Sequence, residues 1–221
     1  MTYLKRYKDV LIPQKVVYFL VLLSVLILAL LAIFLLPSSY LPSGLLAILR
    51  LLVPLLMLKR PLLGIIASIF MDAIDHESIT LLGRALEPNS PMNYVFYQQQ
   101  DKVLDSYMCA IAAYTSLSWK EPLAQKTSVA LFFYRFIGVI IFLITQFRPI
   151  FVLFPNVIEL FYLYYVYMLS KNPNYTIGSK KKLLIILIVL SAIKLTQEYT
   201  VHVLDSKPIV YIRYSVLKAP W

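Results

Sequence analysis

Four aspartates in two close pairs are the residues whose types and spacing best suit chemistry. Asp72 and Asp75 lie three positions apart at the end of one apolar run. Asp101 and Asp105 lie four positions apart at the start of the next run. Residues at these spacings share one face of a helix. Two such helices side by side would bring four carboxylates together.

The apolar surroundings limit what these acids can face. A charged side chain at mid-bilayer costs about 2.5–3.5 kcal/mol on insertion scales. The acids must therefore face a polar cavity, a headgroup layer or a cation. Hard divalent cations take oxygen ligands, so we predict a metal site formed by Asp72, Asp75, Asp101 and Asp105. The alternative is a solvated acidic loop, with Asp101 favoured by the start of a helix.

The composition is that of a membrane protein. Of the 221 residues, 60% are hydrophobic, and the mean hydropathy is +0.76, far above that of a soluble globule. The net charge of +10 fits basic clusters beside anionic lipid better than nucleic-acid binding. Cys109 is the single cysteine, which leaves no partner for an intramolecular disulfide. We expect membrane lipid as a partner and no nucleic acid.

The elements that must position the aspartates are apolar helices. We expect an all-α, multi-pass integral membrane protein with six or seven transmembrane helices in one bundle, forming a single domain over residues 1–221. Residues 1–15 form a basic N-terminal segment, and 204–221 form a tail. The expected helices are 16–36, 45–58, 61–82, a fourth from 95 or 100 to 119, 127–146, 150–169 and 183–203, with a loop over 83–91.

The segment 45–58 decides between six and seven helices. It is short for a bilayer core of about 30 Å, and Arg50 and Pro54 interrupt it. If it spans, most lysines and arginines fall on one side, and the aspartates face away from the cytosol. If it does not span, the aspartates face the cytosol. Charge favours seven helices and segment length favours six.

Further polar residues lie within the apolar runs of the second half. Asn156 and Glu159 are three positions apart and share a helix face. The structural interpretation is a set of ion pairs, for instance Arg135 with Glu159 and Lys194 with Glu198. The functional interpretation is phosphate binding by Arg135 and Arg148, because a guanidinium matches phosphate oxygens in two parallel hydrogen bonds.

The Asp-x2-Asp and Asp-x3-Asp pattern resembles the metal-binding motif of the CDP-alcohol phosphotransferases. That family consists of six-helix membrane enzymes of phospholipid biosynthesis, which transfer a phosphatidyl or related group from a CDP-linked donor to an alcohol and release CMP. The resemblance implies that Asp72, Asp75 and Asp101 hold one or two Mg²⁺ or Mn²⁺ ions. It also implies that Asp105 deprotonates the acceptor hydroxyl.

The chain departs from the family pattern around these aspartates. His76 and Tyr97 stand where the family has glycine, and Ile79-Thr80 stands where it has Ala-Arg. Arg84 is the nearby candidate to replace the lost arginine. The resemblance covers residues 72–105 and rests on the four aspartates.

We therefore predict a membrane-embedded, divalent-metal-dependent transferase that acts on a phosphate-containing lipid or a CDP-linked donor. The predicted substrate-binding residues are Arg84, Arg135 and Arg148. One alternative is a transporter or ion pathway that uses the same acids. Another is a non-catalytic membrane subunit whose loop 76–98 docks a partner. The sequence is also compatible with a homodimer.

Overall fold

A computed structural model describes residues 14–34, 41–86 and 94–202, and all regular structure in these ranges is helical. The helices are α1 (Gln14–Phe34), α2 (Leu41–Leu52), a 3-10 segment (Val53–Leu58), α3 (Pro61–Leu86), α4 (Tyr94–Ser116), α5 (Pro122–Thr145), α6 (Ile150–Leu153), α7 (Val157–Lys171) and α8 (Lys180–His202). The all-helical prediction is thus confirmed for these residues. The tail 204–221 and most of the basic segment 1–15 lie outside them.

The chain divides into two compact units, Met1–Trp119 and Lys120–Trp221. Among the described residues, three helices are long and apolar enough to cross a membrane, within α1, α5 and α8. This is consistent with the expected membrane protein. The helices that carry the aspartates, α3 and α4, are not among these three.

Two predicted boundaries in the first unit are wrong. Residues 83–86 were expected in a loop, yet α3 continues to Leu86. One glycine inside a helix costs only about 1 kcal/mol, and the following Arg84-Ala85-Leu86 are good helix formers, so the helix passes Gly83. The expected helix 45–58 is instead α2 followed by the 3-10 segment, which has Pro54 at its start. A proline at this point removes a backbone donor that the α-helix would need.

Two boundaries in the second unit also differ from expectation. α5 begins at Pro122 rather than Thr127, because proline is well suited to the first turn of a helix. The expected helix 150–169 is broken into α6 and α7 at Phe154-Pro155-Asn156. Pro155 disfavours a helical conformation at the residue before it, and Phe154 leaves the helical region with φ −121° and ψ 63°.

Close backbone approach organises the first unit. α1 packs on α4, while α2 and the 3-10 segment pack on α3 and α4. The 3-10 segment lies so near α3 that a Cβ added to Gly64 would overlap the backbone nitrogen of Met57 and lie 2.8 Å from its Cα. This contact places the end of α2, and Arg50 on it, against α3.

Replacing Gly64 by alanine is therefore expected to destabilise the protein by about 1–3 kcal/mol, the usual cost of overpacking. Gly44→Ala in α2 is the matched control, since nothing lies within 4 Å of the Cβ that it adds. That control should leave stability unchanged or raise it by up to about 1 kcal/mol. Thermal unfolding in detergent measures both variants. Equal midpoints for the two would contradict the close packing at Gly64.

In the second unit, α5 packs on α7 and α7 on α8, while the short α6 contacts both α5 and α8. Side chains of α5 satisfy carbonyls freed by the break: Arg135 Nη1 donates to Phe154 O at 2.6 Å, and Tyr134 donates to Leu153 O. Gly138 admits Phe154, because an added Cβ would lie 2.8 Å from Phe154 Cγ. Contacts from α5 therefore stabilise the break between α6 and α7.

Candidate cation site

The structure brings all four predicted aspartates together within the first unit. α3 carries Asp72 and Asp75, and α4 carries Asp101 and Asp105. One carboxylate oxygen each from Asp72, Asp75 and Asp101 lie within 4.8 Å of one another. Asp105 joins them through a shared partner on α2. The spacings of three and four residues thus place each pair on one helix face, and the two faces meet in a single cluster.

The shared partner is Arg50, near the end of α2. Its Nη2 donates to Asp72 Oδ1 at 2.6 Å and its Nη1 donates to Asp101 Oδ1 at 2.6 Å. Nη1 also donates to Asp75 Oδ2, and Nη2 also donates to Asp105 Oδ1. The Arg50 side chain is only 6% exposed. One buried guanidinium therefore lies at the centre of four carboxylates.

Sequence reasoning missed this role of Arg50 and treated it as an interruption of a short apolar segment. The sequence did contain an indication of this contact, because a cation within an apolar segment is costly unless it pairs with acidic residues. The four aspartates had too few cations nearby in sequence, so they were candidates for that pairing. The contacts join residues 22–55 positions apart, which no local pattern reveals.

Two residues of α4 complete the cluster. Lys102 Nζ lies 2.8 Å from Asp101 Oδ2 and 3.2 Å from Asp105 Oδ2. Tyr97 donates its hydroxyl to Asp75 Oδ1 at 2.9 Å. Tyr97 thus stands over an aspartate at a position where the resembled family has glycine. A nucleotide could not approach Asp75 as closely here as beside a glycine.

The donor set fits a divalent cation. Among the described side chains, four carboxylates face two cationic groups, Arg50 and Lys102, which leaves a formal charge of −2 in this part of the cluster. Oxygen ligands lie about 2.0–2.1 Å from Mg²⁺ and about 2.3–2.6 Å from Ca²⁺, so oxygens on opposite sides of the ion are about 4 Å apart around Mg²⁺ and about 5 Å apart around Ca²⁺. The three oxygens lie within 4.8 Å of one another; a larger cation fits that full separation, and Mg²⁺ requires a closer approach than that limit. A bound ion would share these carboxylates with Arg50.

Solvent reaches the cluster mainly at Asp72. Its side chain is 36% exposed, whereas that of Asp75 is 5% exposed. A small cavity beside Asp72 is bordered by Arg50 and by apolar side chains that include Leu104 and Met108. The Asp72 side is therefore the more open side of the cluster.

The three predicted phosphate-binding arginines do not all fall in the described structure. Arg84 lies in the last turn of α3, but its side chain lies outside the described part. Arg135 and Arg148 belong to the second unit. Arg135 is 2% exposed, and Arg148 Nη2 donates to Val201 O at 3.1 Å. A phosphate-binding role for these arginines stays a prediction.

The predicted ion pairs of the second unit are wrong in their partners. Arg135 Nη1 lies 3.3 Å from Glu198 Oε1, and Lys194 Nζ lies 3.0 Å from Glu159 Oε1. The pairing follows the broken helix: Asn156 N, freed by the break, donates to Glu198 at 3.1 Å. Glu198 therefore lies at the break in the helix, where it also contacts Arg135. The shared face of Asn156 and Glu159 is confirmed by a 2.9 Å hydrogen bond from Asn156 Nδ2.

Comparison with known proteins finds no family model, no curated protein and no solved structure that matches this chain. The interpretation of the cluster therefore rests on its residues and geometry.

Proposed function

We propose that this protein is a membrane-embedded, divalent-metal-dependent transferase acting on a phosphate-containing lipid or a CDP-linked donor. The observation that supports the proposal is the convergence of four carboxylates with a formal charge of −2. Such a cluster between apolar helices is stabilised by binding a divalent cation. The transferase chemistry comes from the resemblance of the aspartate pattern to the CDP-alcohol phosphotransferases.

The four aspartates would have two different roles, metal binding and proton transfer. Asp72, Asp75 and Asp101, whose oxygens lie within 4.8 Å of one another, would hold Mg²⁺ or Mn²⁺. The ion would neutralise charge on a diphosphate and orient it for attack. Asp105 would accept the proton of the acceptor hydroxyl. Contacts from Arg50 and Lys102 keep the Asp105 carboxylate in place.

We also propose that the chain crosses the membrane more than three times, with six or seven spans. α3 has 26 residues and α4 has 23. At a rise of 1.5 Å per residue they reach about 39 Å and 35 Å, longer than a hydrocarbon core of about 30 Å. Their charged residues would be tolerated because they face one another in the cluster.

The activity assay is CMP release by the purified full chain from a CDP-linked lipid in the presence of an acceptor alcohol. We expect release with Mg²⁺ or Mn²⁺ and none with chelator. Asp105→Asn should lower the rate by about 10²–10⁴-fold, the usual contribution of a positioned base. Glu77→Gln is the matched control, since Glu77 lies on the same stretch but outside the cluster, and it should keep full activity. Equal rates for the two variants would remove Asp105 from the mechanism.

A specific observation favours a transporter as the second candidate. The second unit contains a broken helix with buried charges beside it, namely Arg135, Glu159, Lys194 and Glu198. Discontinuous helices with polar groups at the break are a feature of ion and substrate sites in transporters. Cation- or proton-coupled flux in proteoliposomes that Glu159→Gln abolishes would favour this candidate over the transferase.

A further inference from the structure

Six exposed lysines lie at one end of the second unit. They come just before α5 and in its first turns, at the end of α7 and at the start of α8: Lys120, Lys126, Lys171, Lys180, Lys181 and Lys182. We refer to these six residues as the lysine end. The proposed transferase site does not include them.

Glu121 holds the parts of the lysine end together. Its Oε2 accepts hydrogen bonds from Ile177 N at 2.8 Å and from the Tyr165 hydroxyl at 3.1 Å, and its Oε1 accepts one from Gly178 N at 3.0 Å. These bonds tie the start of α5 to α7 and to the loop before α8. The lysines therefore form one surface although they are distant in sequence.

The positive charge of this surface is not neutralised by the described residues around it. The three acids of the second unit in the described ranges, Glu121, Glu159 and Glu198, are all buried. Within the same ranges, none of the six lysines forms an ion pair with a carboxylate. Six exposed charges are thus available to an anionic partner.

The tyrosines beside the lysines indicate that the partner is a membrane surface. Lys182 Nζ lies 5.0 Å from the ring centre of Tyr175, and Lys171 Nζ lies 5.7 Å from that of Tyr167. Tyrosine is enriched where a protein meets the headgroups of a bilayer. The two helices of this unit that are long and apolar enough to cross a membrane, α5 and α8, both begin at the lysine end.

We propose that the lysine end binds the headgroups of anionic phospholipids on the cytosolic side of the membrane. Clusters of four to eight basic residues next to a membrane-spanning helix bind anionic lipids, and basic residues are retained on the cytosolic side. The proposal requires α5 and α8 to begin in the cytosol. It is independent of what the aspartate cluster does.

A dye attached through Asn174→Cys measures the lipid binding. Asn174 is exposed in the loop before α8, whereas the native Cys109 is buried. In neutral detergent, short-chain phosphatidylglycerol should change the emission saturably, and short-chain phosphatidylcholine should not. Replacing Lys180, Lys181 and Lys182 together by glutamine should lower the association constant at least about tenfold, because each basic residue near an anionic surface contributes about fivefold.

The matched control removes the same charge from exposed positions of the first unit, with Lys15, Lys59 and Arg60 replaced by glutamine. It should bind phosphatidylglycerol like the unsubstituted chain. The combined substitutions Lys180→Arg, Lys181→Arg and Lys182→Arg keep the charge and should keep the binding of phosphatidylglycerol. This variant tests the proposal if the glutamine variant fails to fold. Equal responses to the two lipids, equal loss in the control, or tighter binding of an oligonucleotide than of phosphatidylglycerol would overturn the proposal.

The orientation has its own test with the same Asn174→Cys position. A membrane-impermeant maleimide should label this cysteine in inside-out vesicles and not in intact cells. Labelling from outside intact cells would overturn the cytosolic placement.

Discussion

Replacing Arg50 by glutamine is expected to destabilise the protein strongly and to make its stability depend on a divalent cation more than that of the unsubstituted chain does. Arg50 donates to all four aspartates, so its loss leaves Lys102 as the cation among four carboxylates in the described part of the chain. Removing one partner of a buried ion pair costs about 3–5 kcal/mol. Mg²⁺ should recover much of this loss, because the ion can take the place of the guanidinium charge. Thermal unfolding in detergent, with Mg²⁺ or chelator, measures both effects.

Arg60→Gln is the control for Arg50→Gln, since Arg60 is exposed and lies outside the cluster. It should change the midpoint little, with or without Mg²⁺. If Arg50→Gln cannot be purified, Arg50→Lys provides a second test. Its unfolding midpoint should also fall, because an ammonium cannot reproduce the flat, two-nitrogen geometry of the guanidinium. An Arg50→Gln midpoint equal to that of Arg60→Gln would contradict the central position of Arg50.

Replacing Lys194 by methionine is the second change with a large expected effect. It leaves the buried carboxylate of Glu159 without its lysine partner, which costs about 3–5 kcal/mol. Adding Glu159→Gln should restore most of the stability, because the double variant no longer buries an unpaired charge. Unfolding midpoints of the two single variants and the double variant give the coupling energy.

The same cycle with Glu198 distinguishes the observed pairing from the one expected along a single helix. Lys194 contacts Glu159 at 3.0 Å, whereas Glu198 lies with Arg135. The coupling of Lys194 with Glu159 should fall in the upper part of the usual range of about 0.5–3 kcal/mol, and that with Glu198 should be smaller. A larger coupling with Glu198 would show that the pairing is wrong.

The sequence predicts helices well in this chain because apolar composition fixes them locally. It also predicts which helix faces carry the paired aspartates, since spacings of three and four positions are enough for that. The ends of the helices are harder to predict from the sequence. Pro122 starts α5 and Pro155 ends α6 by local rules that are visible in the sequence, but the continuation of α3 past Gly83 depends on a small balance of propensities.

The partners within each charge cluster could not be predicted from the sequence. Arg50 meets acids from two other helices, and this contact depends on the close packing that Gly64 allows between the 3-10 segment and α3. Glu198 pairs with Arg135 rather than with Lys194 one turn away, because the broken helix supplies a backbone donor at Asn156. Both arrangements are set by tertiary packing between helices.

Divalent-cation binding by the aspartate cluster is the central claim, and thermal unfolding of the full chain with Mg²⁺, Mn²⁺ or chelator tests it most directly. An ion present at a hundred times its dissociation constant stabilises a protein by about 2.7 kcal/mol. We expect this gain for the unsubstituted chain and for Glu77→Gln, and its loss in Asp72→Asn and in Asp101→Asn. An unsubstituted chain whose midpoint is the same with metal and with chelator would contradict the metal site and the transferase proposed from it.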